Sequence, residues 1–119
     1  MGKLLASNDG GVTGDPPFPL SALPWDRDVA PTPDSVADRL RDAGVVPHAW
    51  SNGPGDRYGA HEHGYTKLLV CAAGSITFYV GSAEAPLELE PGDGFVMPPG
   101  TRHSAAVGSA GCTCLEGYR

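Results

Sequence analysis

From Val45 to Glu116 the chain never runs far without a glycine, proline, aspartate or asparagine. Between these breaks lie eight short apolar or alternating runs, at 45–51, 58–63, 67–71, 75–80, 86–90, 94–97, 103–107 and 112–116. Runs of this length suit strands and are too short for most helices. Eight in succession, with turn residues between them, predict an antiparallel sandwich or barrel.

The composition agrees. Of 119 residues, 17 are Gly and 12 are Pro, and only 18% are charged. Gly and Pro together are about twice their ordinary share, a balance that favours tight turns over a helical bundle. The length is that of one domain. The formal net charge is −6 and no Lys/Arg cluster stands out. A nucleic-acid binder normally shows a basic face to neutralise phosphates, so that class is disfavoured. No run reaches the ~18 apolar residues of a transmembrane helix, and residues 1–14 lack the apolar stretch of a signal peptide. A cytoplasmic location is the expectation. Three cysteines, an odd number, do not make a disulfide framework. Cys112 and Cys114 stand two apart on one strand, which is poor geometry for a bridge.

Residues 1–31 read as an extended Gly/Pro-rich arm. Its large apolar residues, Phe18, Leu20, Leu23 and Trp25, need a surface to cover, either on the barrel or on a partner subunit. One helix is expected at about 33–43. Thr32 is its cap, Pro33 fits the first turn, Asp34 complements the positive end, and Gly44 ends it. Val36, Leu40 and Ala43 share one face. The domain proper is then 32–119, with the barrel at about 45–116.

The chemistry starts at His61-Glu62-His63. Alternate residues of a strand share a face, so the two imidazoles project together and Glu62 points away. Gly55 lies six residues before His61, and Gly74 lies eleven after His63. Further on, Gly92, Pro98, Gly100 and His103 form a tight turn, a short apolar strand, a second turn and a third histidine. On these residues the chain resembles the cupins. Gly55, His61, His63 and Gly74 are in register with the first cupin motif. Gly92, Pro98, Gly100 and His103 are in register with the second. Seventeen residues separate Gly74 from Gly92, the short spacing of small bacterial cupins. The resemblance covers about 45–116. It implies an all-β fold, the double-stranded β-helix or jelly-roll barrel, with the arm and the short helix added. It also implies one divalent metal ion (Fe, Zn, Ni or Mn) on His61, His63 and His103, and a homodimer. Imidazole suits all of these metals, and three ligands leave positions open.

The departures from the pattern are Lys67, where the motif has a glutamate ligand, and Val107, where it has an asparagine. An ammonium close to a dication is repelled by several kcal/mol at short range. Lys67 must therefore pair with an acid such as Glu116 or Glu62, contact a bound anion, lose its proton, or turn to the barrel rim. The neutral three-histidine set resembles the thiol dioxygenase branch of the cupins and implies an anionic, chelating substrate. Tyr58, Phe78 and Met97 are further pocket candidates by strand parity, and Cys71, Cys112 and Cys114 are expected as buried interior residues. Two functions follow. One is a metal-dependent, dioxygenase-type oxidoreductase acting on a small anionic molecule. The other is a non-catalytic module that binds or senses a small-molecule ligand.

Overall fold

A computed structural model describes residues 20–119, so Phe18 and the rest of 1–19 lie outside the described residues. Its elements in chain order are β1 (Ser21–Ala22), α1 (Pro33–Asp42), β2 (His48–Asn52), β3 (Arg57–His61), β4 (Lys67–Val80), β5 (Ala85–Leu89), β6 (Gly94–Met97) and β7 (His103–Tyr118). All pairings are antiparallel. The architecture is the all-β double-stranded β-helix, with one helix packed on its outside.

Two long strands form the spine. β4 and β7 pair along nearly their whole length, from Lys67↔Tyr118 to Val80↔His103. Shorter strands extend them on both sides. β6 and β5 flank successive halves of β4, while β3 and β2 flank successive halves of β7. The eight expected runs thus become six strands. Runs 67–71 and 75–80 are one strand, and runs 103–107 and 112–116 are another. A seventh strand, β1, comes from the segment read as arm and pairs with β6.

The physical reason is that the glycines between those runs bend strands rather than end them. The β4–β7 register slips between Cys71 and Ala73 and again between Gly74 and Ile76. Gly74 and Gly111 both take positive φ, +70° and +75°. They face each other so closely that a Cβ on Gly74 would lie 1.9 Å from the Gly111 carbonyl oxygen. Only glycine fits such a crossing, and a bulge of this kind bends the paired strands, disrupting the ladder only locally.

Parity sorts β4 into two faces. Leu69, Cys71, Ile76 and Phe78 point into the barrel, where they pack with Phe95, Met97, Val107, Cys112 and Cys114. All three cysteines are free thiols there. Leu68, Val70 and Ala72 point outward under the helix and meet Val36, Leu40, Val45 and Leu115. Strand residues buried on both sides read as a continuous apolar run, which is what Leu68–Cys71 shows.

The helix is closed at both ends by local chemistry. The Ser35 N–H donates to Thr32 Oγ1 at 3.1 Å and the Thr32 N–H donates to Ser35 Oγ at 2.8 Å, a reciprocal capping box. Gly44 follows the last turn with φ +89°. Val36 and Leu40 are wholly buried, and each contributes about 1.5–3 kcal/mol by leaving water. From the segment before the helix, Leu23 joins this outer cluster, and Trp25 packs against it.

Candidate metal and ligand site

A cavity of about 280 Å³ lies among the strands. Its walls come from β2, β3, β4 and β7. His103 opens β7 and stands opposite His61, the last residue of β3. His63 lies two residues beyond the end of β3, so the pair does not sit on one strand as strand alternation had it. The chain leaves the sheet after His61, and the His63 carbonyl is held by the Gly100 N–H at 2.8 Å. That bond links the first motif to the Pro-Pro-Gly turn of the second.

The three rings nevertheless converge. Their centroids are 4.8 Å (His61–His63), 4.3 Å (His61–His103) and 5.1 Å (His63–His103) apart. Taking one ring nitrogen from each, the atoms lie within 4.8 Å of one another, an arrangement that could hold a metal ion.

Hydrogen bonds fix which nitrogen is offered. His61 Nδ1 is 2.7 Å from the Gly59 carbonyl oxygen, and His103 Nδ1 is 2.9 Å from that of Thr101. A carbonyl oxygen can only accept, so each Nδ1 carries the proton and each Nε2 keeps its lone pair. Backbone carbonyls commonly orient metal-binding histidines in this way. The Nε2 atoms of His63 and His103 are buried with no hydrogen-bond partner among the described residues. A buried polar atom without a partner is costly, about 1–3 kcal/mol, and a cation would remove that cost here. Burial pushes the His103 imidazole down to about 4, with the Lys67 ammonium adding to the shift against the opposing Thr101 bond. Burial also lowers His63, again helped by Lys67. Both rings are therefore neutral at pH 7, the form that ligates. The donor set fits a divalent ion.

Lys67 does not turn to the rim. It is 6% exposed and lines the cavity with the histidines. Its Nζ lies 3.7 Å from Glu116 Oε1. Burial lowers the lysine, and the Glu116 carboxylate works against that shift. Glu116 also accepts from Trp50 Nε1 at 2.9 Å and from the Tyr118 hydroxyl at 2.7 Å. Trp50, on β2, lines the cavity too. Its role was hidden in the sequence because β2 reaches the site only by pairing with the far half of β7.

Tyr58 and Phe78 lie on the cavity wall. The Tyr58 hydroxyl donates to Asn52 Oδ1. Met97 packs with Phe78 in the interior cluster and is not among the residues that line this cavity. Met97 stands opposite Lys67 in the β4–β6 pair. Val107, at the motif's asparagine position, is buried in the same cluster.

Residues 43–115, more than half of the chain, match the model of the AraC-like ligand-binding domain. The chain belongs to this family of small cupin domains. Among solved structures it is similar to an RmlC-like cupin from Shewanella frigidimarina, with 19% identity over 62% of this chain and 64% of that one and a TM-score of 0.55. It is similar to the DMSP lyase DddQ from Ruegeria pomeroyi, with 23% identity over 63% of this chain and 38% of that one and a TM-score of 0.57. It is also similar to KdgF from Halomonas sp., with 22% identity over 63% and 69% and a TM-score of 0.52. The chain thus spans less than two thirds of the first two. At these identities the likeness is one of fold. Curated protein sequences gave no significant match.

Proposed function

We propose that this cupin domain holds one divalent metal ion (Fe, Zn, Ni or Mn) on His61, His63 and His103, and uses the adjoining cavity to bind and oxidise a small anionic molecule. The observation that carries this reading is the convergence of three imidazoles with two buried, unpartnered Nε2 atoms at the wall of a cavity. A metal held by three neutral ligands supplies a Lewis acid with its full charge and, if it is iron, a means of activating dioxygen.

The remaining work falls to the chain itself. The Gly59 and Thr101 carbonyls keep His61 and His103 in one tautomer and orientation. Lys67 offers a buried positive charge to an anionic group in the cavity. Trp50 and Phe78 contribute apolar surface to the cavity wall. Tyr58 and Lys67 are the groups placed to move a proton.

The test is oxygen uptake by the Fe(II)-loaded protein with a panel of thiols, diketones and small acids. Uptake that depends on substrate and vanishes in His103→Ala supports the enzyme. Binding without turnover supports the second reading, a ligand-sensing module, which the family match favours. The domain is further proposed to act in the cytoplasm as a homodimer. No helix among the described residues is long and apolar enough to cross a membrane. A monomeric mass in solution would remove the dimer.

A further inference from the structure

Lys67 and Glu116 make an unusual pair. Their separation, 3.7 Å, exceeds the roughly 2.7–2.9 Å of a charge-assisted hydrogen bond. It is the only ion pair that Lys67 makes among the described residues. The ammonium has three donors, and one long contact to Glu116 does not occupy all of them. Glu116 is not held in place by the lysine. Trp50 Nε1 and the Tyr118 hydroxyl fix its two oxygens, and only 12% of its side chain is exposed. Both residues line the cavity beside His63 and His103. The β4–β7 register explains the juxtaposition. Lys67 is opposite Tyr118, so Glu116 is its diagonal neighbour on the same face, within reach of a long side chain.

We infer that Lys67 and Glu116 read the two ends of one ligand: the lysine takes an anionic group and the glutamate takes a hydrogen-bond donor, hydroxyl or ammonium. This rests on the reading of the three-histidine cavity as a ligand pocket. The pair is neutral overall, so it favours neither sign by itself. A ligand with a carboxylate alone draws the ammonium off Glu116 and leaves that carboxylate facing a second negative charge. A hydroxy acid or an amino acid gives each partner something in exchange. The substrate class is therefore a small carboxylate bearing a hydroxyl or amino group, in preference to a simple monocarboxylate. Sites built around a buried polar group reject analogues that leave it unmatched far more strongly than they reject a change of one methyl.

The experiment is calorimetric titration with L-lactate, L-alanine and propionate, which share a three-carbon frame. It is run on metal-free and metal-loaded protein, because direct chelation by lactate or alanine requires the ion. Trp50 fluorescence gives a second readout. The expected result is at least tenfold tighter binding of lactate or alanine than of propionate, in both forms. In Glu116→Gln the preference for alanine over propionate should disappear while propionate still binds. In Lys67→Met all three should weaken together. Equal wild-type affinities, or a preference that appears only with metal, overturn the inference and leave the pocket standing. No binding by any of the three overturns both.

Discussion

Acid should unfold the metal-free protein earlier than its carboxylates alone would. His103 is the group responsible. In the unfolded chain its imidazole titrates near 6.5, and burial in the fold lowers it to about 4. Between those values the unfolded state binds a proton that the folded state refuses, so stability falls as the pH falls. The contribution is complete above pH 6.5 and lost progressively toward pH 4. At pH 4.5 the difference amounts to about 2–3 kcal/mol from this one residue, at about 1.4 kcal/mol per unit. His63, lowered in the same direction, steepens the slope. The assay is urea denaturation of chelator-treated protein between pH 7 and pH 4.5, followed by Trp fluorescence and repeated on His103→Gln. Wild type should lose stability across this window, and the variant should lose markedly less. Equal slopes in the two proteins would refute the argument that a buried, neutral His103 sets the acid limit.

Other perturbations test other links. Gly74→Ala puts a Cβ 1.9 Å from the Gly111 carbonyl at φ +70° and should prevent folding or cost more than about 3 kcal/mol. Gly100→Ala, at φ +75° with nothing within 4 Å, should cost only about 1 kcal/mol in the same denaturation assay. Lys67→Glu should destabilise the metal-free protein, because it sets two carboxylates together, yet bind a divalent ion at least tenfold more tightly by calorimetry. Unchanged metal affinity would mean that the lysine charge is not felt at the histidines. Leu40→Ala should cost about 2–5 kcal/mol in denaturation while leaving metal affinity unaltered, since the helix packs on the outer face of the sheet.

Much of this site could be read from spacing. The intervals Gly55–His61–His63–Gly74 and Gly92–Pro98–Gly100–His103 mark turns and strand ends, and those fix where the three imidazoles meet. The helix was legible because its signals are local: Thr32, Pro33 and Gly44 act on the backbone beside them. What escaped depends on contacts distant in sequence. Gly74 and Gly111 look like strand ends, yet each is the other's reason for a bend, and the match exists only once β4 and β7 pair. Lys67 was recognisable as an anomaly, but its choice between Glu62 and Glu116 needed the β4–β7 register. Trp50 reaches the cavity through Glu116, again by way of β7. Met97 obeys the inward parity assigned to it and still misses the cavity. Parity tells the face of a strand, not its distance along the barrel or its place in the sheet.

The central claim is a metal ion on His61, His63 and His103, and the metal content of the purified protein tests it most directly. Protein prepared without chelators should carry about one equivalent of a divalent transition metal per chain by elemental analysis. That metal should be lost in His63→Ala and His103→Ala while the fold, followed by circular dichroism, is retained. A folded wild type that contains no stoichiometric metal and takes none up from Fe(II), Zn(II), Ni(II) or Mn(II) would contradict the account.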